Sequence, residues 1–111
     1  MAYDPSYAQY IDHTVLKADT TQETLLRFCS EAKQYHFASV CVNPCNVAFV
    51  ARQLEGSGVK TAAVVGFPLG ANKTSIKAAE AREAIADGAS EIDMVINIGW
   101  VKDGLYDQVL D

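Results

Sequence analysis

The sequence predicts an α/β fold built on a parallel sheet, on two observations. Strand-like runs alternate with helical stretches four times over, and no hairpin signal joins any two of the runs. Strands that follow one another without hairpins must be linked by helical crossovers, and crossovers of that kind set neighbouring strands parallel.

Residues 1–10 hold Pro5 and three tyrosines and predict a short first helix. The run IDHTVL (11–16) reads as the first strand. Thr20 and Glu23 are spaced as a capping box, which starts a helix carrying Leu25, Leu26, Cys29 and Ala32 at helical intervals. FASVCV (37–42) is the second strand, broken by Asn43-Pro44, and Pro44 suits the first turn of the next helix. Val47, Val50, Ala51 and Leu54 form the apolar stripe of that helix, and Gly56 and Gly58 end it. VKTAAVVGF (59–67) is the third strand, followed by a loop through Pro68-Leu69-Gly70-Ala71-Asn72 and a helix from about Thr74 to Asp87. EIDMVIN (91–97) is the fourth strand. A loop through Gly99 and Gly104 follows, and a helix starts near Tyr106. The chain ends at Asp111 inside that helical pattern, which reads as a cut within a longer fold.

The composition bounds the function. A chain of 111 residues, half of them hydrophobic, makes one small domain with one modest core. Its net charge of −5 argues against nucleic acid as a partner, since phosphate binding needs an excess of Lys and Arg. No apolar run reaches the roughly 18 residues of a membrane span. The start, MAYDPSYAQY, lacks the basic and apolar regions of a signal peptide, so a cytoplasmic location is expected. The three cysteines are then reduced thiols. Cys41 and Cys45 are four apart, which is not the spacing of zinc or redox pairs, and no metal site is expected.

In a parallel sheet the functional groups gather at the C-terminal ends of the strands. Asp93 stands out because it interrupts an apolar run, and a carboxylate buried without a partner costs several kcal/mol, roughly the polar-burial penalty. Alternation places Asp93, Val95 and Asn97 on one face and Ile92, Met94 and Ile96 on the other, where they would pack on helices. Asp12 and Thr14 share a face of the first strand, and the plain alternative for them is a turn that closes the strand. His13 points the other way and reads as structural, and His36 as a helix C-terminal residue. Cys41 has no suitably placed histidine to activate it, so it reads as a buried or site-lining thiol. GFPLG is too short for a phosphate cradle, and Lys73 and Lys77 read as a solvated helix face.

Four stretches in order carry a resemblance: IDHTVLKADTT, VCVNP, VVGFPLGANKTSIKAAEAREAI and GASEIDMVINIGWVKDG. Over residues 8–111 the sequence resembles the deoxyribose-phosphate aldolase family. The resemblance implies the N-terminal half of a (β/α)8 TIM barrel, about four βα units forming a single half-barrel domain over 1–111, where about 250 residues is typical of the whole fold. It implies reversible class I cleavage of 2-deoxy-D-ribose 5-phosphate to acetaldehyde and D-glyceraldehyde 3-phosphate through a Schiff base. No cofactor is implied, because the protonated imine is the electron sink. Asp93 matches the family's strand-four aspartate of the proton relay, Asp12, Thr14 and Leu16 match pocket-lining residues of strand one, and Cys41 matches the strand-two cysteine beside the substrate.

The family's Schiff-base lysine and second lysine lie on later strands, and none of Lys17, Lys33, Lys60, Lys73, Lys77 and Lys102 sits centrally on an inward strand face. The chain alone is therefore expected to be inactive. The alternative reading is a non-catalytic scaffold that self-associates through its open edges, as a dimer that rebuilds an eight-stranded shape. A complete flavodoxin-like domain binding a phosphate ligand is disfavoured by the missing phosphate loop and by the helical end.

Overall fold

A computed structural model describes residues 4–111. Four strands form one sheet in the order β1 (Asp12–Val15), β2 (Ser39–Val42), β3 (Lys60–Val65) and β4 (Glu91–Met94), every pair parallel. The helices α1 (Gln22–Tyr35), α2 (Val47–Gln53) and α3 (Thr74–Ala86) make the crossovers, and α4 (Ile98–Lys102) and α5 (Tyr106–Leu110) follow β4. A 3-10 helix, Pro5–Tyr10, occupies the described part of the expected first helix, while residues 1–3 of that expectation lie outside the described residues. Among the described residues no helix is long and apolar enough to cross a membrane.

Strand alternation sends two sets of side chains to opposite faces. Val15, Val40, Val42, Ala63 and the half-buried Ile92 pack under Leu25, Cys29 and Ala32 of α1, Val47 and Val50 of α2, and Ala84 of α3. The helices thus cover one face and leave the other open. His13 belongs to the covered face, as its structural reading requires. Its ring stacks on Phe28 at 4.3 Å, and its Nε2 lies 3.0 Å from Glu31 Oε2. The central strands β2 and β3 are buried along almost their whole length, as parallel strands with neighbours on both sides are.

The structure corrects four local expectations. Thr21 rather than Thr20 is the N-cap of α1, accepting from the Thr24 backbone at 3.3 Å, because the Thr20 hydroxyl is engaged with the Lys17 carbonyl at 2.6 Å. The box with Glu23 therefore does not form. β4 ends at Met94, so Asn97 does not share a strand face with Asp93; its side chain caps α4 by accepting from Trp100 N–H at 3.0 Å. The segment through Gly99 is helical rather than a loop. Finally, Ile92 packs on the helices as expected, but Met94 and Ile96 stand 56% and 48% exposed, because they line an open pocket that residues of α3, α4 and α5 border without filling.

Candidate active site on the open face

The open face is built by the residues that alternate with the core set. The register sets Asp12 beside Ser39 and Ser39 beside Lys60, Thr14 beside Cys41 and Cys41 beside Ala62, Ala62 beside Glu91, and Val64 beside Asp93. Cys41, Ala62 and Val64 form a small apolar floor, with Leu16 packed against it. Asp12, Thr14, Leu16, Cys41 and Asp93, the five residues singled out in the sequence, are therefore brought to one face.

Their surroundings are polar and acidic. Asp12 Oδ1 accepts from the buried Ser39 hydroxyl at 2.7 Å, and the Thr14 hydroxyl donates to the Asp12 carbonyl at 2.7 Å. This second bond lies within β1 and the Asp12 side chain reaches across to β2, so the plain reading of the pair as a turn that closes the strand does not hold. Asn43 donates to the Leu16 carbonyl at 3.2 Å and so ties the ends of β1 and β2 together. Asp93 itself is exposed, so alternation leaves it hydrated and its burial cost does not arise.

The thiol of Cys41 reports this environment. Burial pushes its pKa up to about 11, and the nearby carboxylates of Asp93, Asp12 and Glu91 push in the same direction, while a hydrogen bond with Thr14 opposes them. The thiolate is disfavoured by a low-dielectric floor and by negative neighbours. Cys41 is therefore a neutral thiol near pH 7, suited to lining a pocket and unsuited to nucleophilic attack. Ser39 and Glu91 escape a reading by type and spacing. Ser39 looks like any small strand residue, and Glu91 looks like a polar start to its strand.

The lysines stand elsewhere. Lys60 alone shares the open face, at the N-terminal edge of β3, where it pairs with Glu91 at 3.8 Å. Lys33 donates to the Gln53 carbonyl and Lys77 to the Val95 carbonyl; Lys17 lies in the loop after β1, Lys73 immediately before α3, and Lys102 in α4. None of these five lies within a strand, and Lys17 borders Thr14 and Leu16 from the loop after β1.

A curved set of four parallel βα units, with helices outside and carboxylates on the inner face, is one half of a (β/α)8 barrel enzyme fold. The model of the DeoC/LacD family aldolases matches residues 6–111, and the chain belongs to that family. A deoxyribose-phosphate aldolase of Streptococcus suis is 57% identical over 103 residues, covering 93% of this chain and 47% of the relative. One from Treponema denticola is 54% identical over 96 residues, covering 86% and 44%. In the crystal structure of a putative deoxyribose-phosphate aldolase from Coccidioides immitis, the match has a TM-score of 0.93 at 42% identity, over 95% of this chain and 42% of that one. The deoxyribose phosphate aldolase of Aeropyrum pernix, described as a unique tetrameric structure, matches with a TM-score of 0.84 at 30% identity, over 94% and 44%. The chain spans about half the length of the relatives it matches.

Proposed function

We propose that the open face is one half of a class I aldolase site, which cleaves 2-deoxy-D-ribose 5-phosphate reversibly to acetaldehyde and D-glyceraldehyde 3-phosphate once a lysine-bearing half completes it. The observation that carries this reading is the gathering of Asp12, Thr14, Leu16, Cys41 and Asp93 on one face of the sheet. The side chains divide the work by their chemistry. Asp93, exposed and open to water, relays protons to and from the imine carbons and nitrogen. Asp12, held by Ser39, fixes a substrate hydroxyl or water. Leu16 and the neutral Cys41 give the apolar wall that a two-carbon aldehyde needs.

With no lysine in the C-terminal half of any strand, the 111 residues alone are expected to be inactive. Incubation with acetaldehyde and borohydride, followed by intact mass, should show no stoichiometric adduct on a single lysine. Mixed with the lysine-bearing half of the Streptococcus suis relative, the chain should gain retro-aldol cleavage, and Asp93→Asn should lower its rate by about 10²–10⁴-fold, the range of a lost general acid or base. A mixed barrel that cleaves equally well with Asp93→Asn would sink the relay.

A second reading has its own observation. Among the described residues β1 and β4 each have one edge without a partner strand, and Met94 and Ile96 are half exposed, so on this reading the chain serves as a self-associating scaffold without catalysis. Light scattering at micromolar concentration should then give a dimer mass or larger, and a monomer would reject it.

A further inference from the structure

The ends of β3 and β4 are tied to α3 by two charged side chains that the proposed chemistry does not use. Lys77 and Glu80 are three apart on α3, so they lie on one face of the helix. Lys77 Nζ donates to the Val95 carbonyl at 2.9 Å, one residue past the end of β4. Glu80 Oε1 accepts from the Gly66 N–H at 2.7 Å, one residue past the end of β3. Both backbone groups lie where the regular strand ends, so they need side-chain partners, and both receive charge-assisted ones.

The packing around these bonds is close. A Cβ at Gly66 would stand 3.1 Å from Lys77 Cε, so the lysine stem lies directly against the strand end. Val95 N–H donates to the Val65 carbonyl at 3.0 Å, which carries the ladder one step beyond Met94. Asp93 lies on this edge strand two residues before Val95, and among the described residues β4 has a strand neighbour on one side only.

We propose that Lys77 and Glu80 are positioning residues, which hold the C-terminal ends of β4 and β3 from one face of α3 and so fix where Asp93 stands relative to Cys41. The proposal rests on the reading of the open face as an active site, because only there does the placement of Asp93 matter. Neither residue touches the open face, so both act through the backbone.

The test is amide exchange and backbone relaxation on the 15N-labelled 111-residue chain. In Lys77→Met, the Val95 carbonyl loses its charged donor, the end of β4 loosens, and exchange of the Val95 N–H from its bond to the Val65 carbonyl should quicken by about tenfold. The order parameter at Asp93 should fall from about 0.85 towards 0.6, from rigid backbone towards flexible. Val40 and Val42 should keep their protection, and Lys77→Arg, which still donates, should restore both signals. Glu80→Met, which cannot accept, should quicken exchange at Gly66 alone, and it decides the matter if Lys77→Met does not fold. Unchanged values at Val95, Gly66 and Asp93, or an equal loss on every strand, would overturn the proposal. None of these signals depends on aldol chemistry. A failed clamp therefore leaves the reading of the open face standing, and a mixed barrel without cleavage leaves the clamp standing.

Discussion

Gly70→Ala is expected to destabilise the chain by about 2–5 kcal/mol, adding a left-handed backbone penalty to an overpacking penalty. Gly70 has φ +66, and its N–H donates to the Gly66 carbonyl at 2.7 Å, closing the turn after β3. A Cβ there would land on the Ile96 carbonyl oxygen, 2.8 Å from its carbon and 2.9 Å from Val95 Cγ1. The obstacle is backbone, which cannot swing away as a side chain can. Gly56→Ala is the matched control: φ is +74, with nothing within 4 Å of the added methyl. It should cost only about 1 kcal/mol, from the backbone penalty alone. Urea denaturation of the three proteins separates strain from collision. Equal losses for the two variants would show that the loop has room to move off the segment after β4.

The second large effect concerns Cys41. At pH 8 it should react with iodoacetamide on the order of a hundredfold more slowly than the exposed Cys45. A thiol with a pKa of about 11 carries about one thiolate in a thousand at pH 8, against about one in eleven for a thiol at the ordinary 9.0. The greater intrinsic nucleophilicity of a high-pKa thiolate offsets part of this difference, and burial adds to it. Peptide mapping after timed alkylation reads the two rates directly, and comparable rates would show that the floor around Cys41 is open to solvent.

The same shift has a consequence for stability. The folded state holds the Cys41 proton more tightly than the unfolded chain, whose thiol titrates near the ordinary 9.0. Stability from this group is therefore fully present below about pH 9 and is lost as pH rises towards about 11. The loss should be on the order of 2 kcal/mol, and Cys41→Ala should flatten this part of the alkaline slope.

Much of the architecture was legible because apolar periodicity reports which side chains leave water. The four strands, the three crossover helices and the opposed faces of β1 and β4 follow from it, and so does the gathering of Asp12, Thr14, Cys41 and Asp93. The failures are places where one residue type serves two structures. Asn97 continues the alternation of EIDMVIN, yet an Asn is equally an N-cap, and α4 uses it as one. Gly99 made a helix there look improbable on propensity, but the Asn97 cap and the following Trp100 and Val101 outweigh one glycine. Thr20 and Thr21 are chemically identical candidates for one cap, and the preceding turn at Lys17 decides between them. Lys77 reads with Lys73 as a solvated helix face in sequence, and Glu80 draws no reading at all, because the partners of Lys77 and Glu80 are backbone groups that carry no signature.

Burial across the sheet is uneven, and this bears on motion. β2 and β3 are enclosed by a strand on each side and by helices above, whereas β4 has one neighbour strand and a bare end at Met94. Opening the sheet from its β4 side breaks one ladder, whereas freeing β2 or β3 breaks two, so that side should fray before the centre. The proposed acid–base residue therefore rides on an edge strand expected to fray early, while the thiol of β2 sits on a firmer floor. A strand laid along the free edge of β4 would do more than cover it: it would quiet the strand on which the proposed proton relay depends.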